Sequence, residues 1–200
     1  MGQYYKCLTK GKKKTTAWSL QTKQWAKAKA KANGAWVDGY NGVKLMEHSW
    51  IGNPFMMGIS KHIYKKPMQI AWVGDYADDF REWYGREPDP RYLHKMTWQR
   101  KNECDIHAPR EFDLHNKYLV NHSKGVAIDF NDYIDNCTRD GWCIHPLSLL
   151  TACGNGMGGG DFNEDYIGGN MVGAWCWDTI SIEDELPDGC EIEEIEFLEY

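Results

Sequence analysis

Lys117–Phe130 reads KYLVNHSKGVAIDF. Two runs rich in β-branched and aromatic residues flank His122-Ser123-Lys124-Gly125, so the stretch predicts a hairpin. A second hairpin follows from Gln3–Thr9 and Thr15–Leu20, joined by the cationic turn Lys10-Gly11-Lys12-Lys13-Lys14. Further strands are expected at Val43–Glu47 and Gln69–Gly74, with a long central one at Met171–Ile182. Glu191–Leu198 reads as a charged edge strand, a pattern that discourages edge-to-edge aggregation. Because strands cluster in hairpins instead of alternating with long helices, the expected class is α+β. It is one domain with a mainly antiparallel sheet and a few short helices packed on it.

Outside the strands, Pro54–Lys66 has apolar residues at helical spacing, with Pro54 at its start and Pro67 just after its end. Both positions suit a helix. Asn131–Cys137 predicts a short helix, and Trp142–Cys153 (WCIHPLSLLTAC) is apolar enough to require burial. Asp78–Arg110 holds Pro88, Pro90 and Pro109 and reads as short helical turns and loops. Gln21–Asn33 is rich in Ala and Lys and predicts an exposed helix. Its composition marks residues 10–33 as an insertion or partner-binding element.

The 200 residues are 42% hydrophobic and 14% aromatic, with 20 Gly, which suits a core of sheets and tight turns. No apolar run approaches the ~18 residues of a membrane span, and no apolar h-region follows the N-terminus. Gly2 invites a myristoylation reading, but Lys6 stands where that motif wants Ser or Thr. Seven scattered Cys favour reduced thiols in a cytoplasm over a disulfide framework. The net charge of -6 hides a gradient: +11 over residues 1–66, -7 over 67–177 and -10 over 178–200. Such asymmetry gives a cationic end that suits nucleic acid and an anionic end that suits a basic groove, unless the two lie together and neutralise.

Candidate chemistry falls into four groups. Gly154–Asp161 is rich in glycine, and Gly156, Gly158, Gly159, Gly160 and Asp161 form a candidate anion or nucleotide loop, with Trp175 as a stacking surface. It lacks the Gly-Lys-Ser/Thr of a P-loop, and its plainer reading is a tight loop where two backbones pass. His48, His122 and His145 at strand ends are candidate general acids or bases. Asp75, Asp161 and Asp178 are candidate ligands of a divalent metal. Cys137, Cys143, His145 and Cys153 lie in order, but their spacing disfavours structural zinc, and a Cys–His nucleophile pair has no motif behind it. Partner contacts are expected at Lys12, Lys13, Lys14 and Trp25 for nonspecific nucleic-acid binding. At the other end they are expected at Glu193, Glu194 and Glu196, for a host protein or protein–nucleic acid complex.

Five blocks, Met1–Tyr5, Gly42–Ser49, Val73–Ala77, Gly158–Asp161 and Val172–Trp175, carry a resemblance. Together they resemble a group of uncharacterised bacterial and phage proteins that begin with the same Met-Gly-Gln-Tyr-Tyr. The resemblance spans most of the chain apart from Lys10–Asn33. It implies a bacterial or phage cytoplasmic origin and supplies no catalytic residues. Two functions are therefore expected to compete. One is a phage or mobile-element protein that inhibits host nucleic-acid-targeting machinery, as an anti-CRISPR does. The other is a nucleotide-binding protein or metal-dependent hydrolase built on the glycine loop and the His/Asp set.

Overall fold

The computed structural model describes residues 2–10, 18–21, 44–74, 76, 103–105, 112–137, 143–156, 158–162 and 171–195. The expected hairpins form. β1 (Tyr5–Lys10) pairs antiparallel with β2 (Trp18–Gln21). β5 (Tyr118–Asn121) pairs antiparallel with β6 (Val126–Asp129) across the 122–125 turn. Between them lie β3 (Met68–Gly74) and β8 (Thr179–Glu183). β4 (Glu103–Asp105) and β9 (Glu191–Ile192) close the two ends. The order is β4-β2-β1-β3-β8-β5-β6-β9, with β7 (Ala152–Cys153) beside β3. β2–β4, β3–β7 and β6–β9 are parallel and the other pairs antiparallel, which makes this a mixed sheet in an α+β fold.

One edge of β3 carries two partners in succession. Met68 and Gln69 pair with β8, while Trp72 and Val73 pair with β7. Ile70 bridges the change by bonding to Asp178 O and Trp177 N–H. Among the described residues, four short helices accompany the sheet: α1 (Leu45–His48), α2 (Pro54–Ile63), α3 (Phe130–Cys137) and α4 (Pro146–Leu150). α2 starts where Asn53 caps the Phe55 N–H and Pro54 takes the first turn. It buries Phe55, Met56, Ile59 and Ile63 against Ile70, Trp72, Ile180 and Ile182. A smaller cluster of Leu8, Ala71, Val73 and Cys153 comes from the opposite parity of β1 and β3, and so covers the other face.

Three expectations are corrected. Val43–Glu47 is not a strand: its described part forms α1, a single turn closed by His48 N–H on Lys44 O and Ser49 N–H on Leu45 O. Residues 171–177 are successive turns, so only the Thr179–Glu183 end of the expected long strand exists. There Gly173 and Trp175 donate to Leu149 O and Leu150 O at the end of α4, and that pairing overrides β-propensity. Trp175 and Trp177 consequently do not share a face. Trp175 is in the main core, while Trp177, at φ 63°, packs on the opposite cluster. Finally, Cys137 and Cys143 form a disulfide with Cα atoms 5.4 Å apart, so the thiols are not all free. Cys7, Cys153, Cys176 and Cys190 are unbridged.

Glu103–Asp105 is a strand in a stretch read as turns and loops. Trp18–Gln21, inside the expected insertion, is part of the sheet, while the Gln21–Asn33 helix beyond Gln21 and the Lys10–Lys14 turn beyond Lys10 lie outside the described residues.

Candidate functional site

The glycine loop begins where β7 ends, beside the end of β3, and it closes around Gln3. Gln3 is fully buried. Its backbone N–H donates to Gly159 O at 3.0 Å and its Nε2 donates to Gly154 O at 3.0 Å. A Cβ on Gly74 would lie 1.7 Å from Gln3 Nε2, and one on Gly158 would lie 2.5 Å from Gln3 Cβ. These glycines are therefore seats for one side chain. Gly160, at φ +89°, accepts from Met46 N–H at 3.1 Å through its carbonyl and leaves no room for a side chain beside Lys44. Parts of four blocks that carry the sequence resemblance thus meet here: residues 2–5, 44–49, 73–74 and 158–161.

Asp161 decides what this loop can hold. Its Oδ1 accepts from Tyr5 Oη–H at 2.9 Å and its Oδ2 accepts from Gly158 N–H at 3.0 Å. A phosphate nest needs backbone N–H groups aimed at the anion. In this loop a resident carboxylate takes the Gly158 N–H and would repel phosphate. Asn155 and Phe162 clasp the loop by two further bonds, of 2.8 and 3.1 Å. Gly156 and Gly159 are exposed. The Trp175 ring is only 1% exposed and its Nε1–H donates to Glu193 Oε2 at 3.2 Å, so it offers no face for stacking. The contacts of its described residues favour the plainer of the two readings, a tight loop where two backbones pass.

The three candidate histidines stand in three separate networks. His48 Nδ1 lies 3.3 Å from Lys44 O. His122 Nε2 lies 2.7 Å from Ser181 Oγ, which in turn donates to Glu183 Oε1. His145 is fully buried as the N-cap of α4, where its Nδ1 accepts from Leu147 N–H at 3.2 Å. Ser60 spends its proton on Met56 O at 2.8 Å, so at 2.8 Å from His145 it accepts the Nε2–H. That fixes the Nε2–H tautomer. A serine nucleophile needs the reverse, with Nε2 as acceptor. Burial pushes the His145 pKa down to about 3, which removes it from proton transfer near neutrality.

The aspartates are likewise apart. Asp161 serves Tyr5 and Gly158, whereas Asp178 accepts from Asn121 Nδ2 at 2.8 Å and faces Lys124 Nζ at 3.8 Å. Asp75 lies outside the described residues. Among the described residues, no group of three His, Cys, Asp or Glu side chains is placed to hold a metal ion. The zinc set is broken up: Cys137 and Cys143 bond to each other, both His145 nitrogens are engaged, and Cys153 sits in the cluster of the opposite face.

Among the described residues, the acidic end is open to a partner. A turn closed by Cys190 N–H on Pro187 O leads into β9, which docks on β6 through Glu191 N–H to Gly125 O and Glu193 N–H to Ala127 O. Glu193 is held by Trp175. Glu185, Asp188, Glu191 and Glu194 are exposed, and among the described residues none has a cationic partner. Leu186 and Ile192 are exposed beside them. Lys12, Lys13, Lys14, Trp25 and Glu196 lie outside the described residues.

Two sets of residues were not singled out from sequence. One is Gln3 and Tyr5. The other is the group around Asp184, whose carboxylate accepts from Tyr64, Lys65 and Lys117 at 2.6, 2.6 and 2.8 Å. At Asp184 the basic and acidic parts of the chain do meet. No helix among the described residues is long and apolar enough to cross a membrane. Comparison of the chain with protein-family models, curated proteins and solved structures finds no match.

Proposed function

We propose that this α+β protein is a binding protein whose acidic end occupies a basic, nucleic-acid-binding groove. It would thereby inhibit host nucleic-acid-targeting machinery, in the manner of an anti-CRISPR from a phage or mobile element. The observation that carries this reading is the set of four exposed carboxylates around β9 that have no cationic partner among the described residues, with Leu186 and Ile192 between them. A groove lined by Lys and Arg would exchange phosphate for carboxylate there. The dispersal of His48, His122 and His145 supports binding over catalysis. The loop carboxylate of Asp161 weighs against the phosphorylated-ligand alternative.

Charge-driven binding weakens with salt, because screening lengths shrink from about 14 Å at 50 mM to about 6 Å at 300 mM. DNA cleavage by a panel of guide-loaded CRISPR nucleases, titrated with this protein, tests the reading. Inhibition of at least one nuclease is expected at 50 mM salt, with the half-inhibitory concentration rising at least ~10-fold by 300 mM. The variant E185K/D188K/E191K/E194K should lose that inhibition. If every nuclease cuts unimpeded, or if the reversed-charge variant inhibits as well as the parent chain, the reading is wrong.

A further inference from the structure

Three ammonium groups gather on one aromatic ring at the end of α2. Lys61, Lys65 and Lys117 Nζ lie 4.9, 5.2 and 5.3 Å from the Tyr64 ring centroid. Lys61 Nζ is also 5.0 Å from the Phe112 ring, which meets Tyr64 edge-on at 5.5 Å. The fold explains the convergence. Tyr64 forms a parallel bridge with Ile182, so Lys65 lies on one side of the β8 end. On the other side, the β5–β8 register puts Tyr118 opposite Glu183, and Lys117 one step further, opposite Asp184. Both lysines close on that one carboxylate.

Lys61 and Lys66 are exposed, and among the described residues neither has a carboxylate partner. Nearby acids are turned elsewhere: Asp113 bonds to His115, and Glu183 takes the Ser181 hydroxyl. Lys65 and Lys117 share the one carboxylate of Asp184, and Lys61 lies over the same Tyr64 ring. The three lysines on the Tyr64 ring outnumber the carboxylate that two of them share, on a protein whose net charge is -6. β9 pairs with Val126 and Ala127, toward the opposite end of the β5–β6 hairpin from Tyr118 and Asp129. The cationic patch and the acidic strand therefore occupy different ends of this part of the sheet.

We propose that Lys61, Lys65, Lys66 and Lys117 form a contact site for the phosphate backbone of single-stranded nucleic acid. Lysines act as point charges without the bidentate fork of arginine, so the contact is independent of base sequence. The half-buried Tyr64 and Phe112 rings add apolar surface beside the charges, as in single-strand grooves. This proposal does not depend on the acidic end having a partner.

Fluorescence anisotropy of a labelled 20-nucleotide oligothymidine at 50–200 mM salt, with the full chain, tests it. K61E/K66E alters two exposed lysines outside the Asp184 ion pairs, and K61Q/K66Q is a milder second variant. A melting curve of each confirms folding. K61E/K66E should bind at least ~10-fold more weakly, and its slope of log K against log salt should fall by about 1.4, at ~0.7 for each phosphate no longer neutralised. K61Q/K66Q should lie between it and the parent. K44E/K124E, an equal charge change at lysines held by Glu47 and Asp178 away from the Tyr64 ring, should stay within about twofold of the parent. Three results overturn the proposal: unchanged binding by K61E/K66E, equal weakening by K61E/K66E and K44E/K124E, or no oligonucleotide binding by the parent. In the last case, capture by phosphatidylserine vesicles would assign the patch to lipid instead.

Discussion

His145→Ala is expected to lower the unfolding free energy by about 3–5 kcal/mol, a large share of the stability of an ordinary domain. Three losses combine. Leu147 N–H loses its cap, a loss of about 1 kcal/mol for a typical N-cap and more here because α4 is fully buried. Ser60 loses the Nε2–H donor at 2.8 Å. The missing ring leaves a cavity against Phe130, which now meets it edge-on at 5.6 Å. Urea denaturation followed by circular dichroism measures the sum. His145→Asn keeps an oxygen able to cap and should cost less. A loss below about 1 kcal/mol for His145→Ala would mean that His145 does not organise this corner.

The same residue sets an acid limit. An unfolded histidine binds a proton near pH 6.5, but His145 in the fold does so only near pH 3. Between those values the unfolded state carries one more proton, so stability rises with pH. Its contribution is fully present above pH 6.5. It is lost at about 1.4 kcal/mol per pH unit as pH falls toward 3. His62, half-buried beside Lys66, is shifted the same way and adds to the slope. Asp184, held well below the usual carboxylate range by Lys117, Lys65 and Tyr64, adds to it only below about pH 4. Unfolding between pH 4.5 and 6.5 therefore isolates the histidines. His145→Asn should flatten the slope there by close to one proton, and His62→Asn by less. An unaltered slope in His145→Asn would show that residue 145 titrates normally.

Local signals were legible in the sequence and long-range ones were not. Lys117–Phe130 folds as read because its turn and its two strands are neighbours in the chain. α2 lies between Pro54 and Pro67, each acting within a few residues. The turn over residues 171–177 was hidden, because Ala174-Trp175-Cys176-Trp177 favours a strand and only Leu149 O and Leu150 O, more than 20 residues away, decide otherwise. His145-Pro146 did contain its own answer. A residue before proline is held extended, and a polar one there is placed to cap the helix that proline starts. Gln3 offered no such clue, since its partner carbonyl at Gly154 is 151 residues along.

That distant contact gives the second large effect. Gly74→Ala and Gly158→Ala should each destabilise by about 3 kcal/mol, the upper end of ordinary overpacking. Neither glycine has a positive φ, so the cost is steric. The two clashes differ in kind. At Gly74 the new Cβ meets Gln3 Nε2 and Cδ, the end of a side chain. At Gly158 it meets Gln3 Cβ, N and Cα, which no substitution except glycine at position 3 can begin to relieve. Gln3→Ala removes Cγ, Cδ, Oε1 and Nε2. It also removes a buried Oε1 that has no hydrogen-bond partner among the described residues, so its own cost is partly offset. In the Gln3→Ala background, Gly74→Ala should become at least about 1 kcal/mol cheaper, a coupling within the range for touching residues. Gly158→Ala should keep its full cost there. Strict additivity of both pairs in urea denaturation would show that Gln3 is not the side chain these glycines accommodate. The expected pattern, one coupled pair and one additive pair, would instead tie the glycines of positions 74 and 158 to the seating of Gln3, and leave phosphate no part in explaining them.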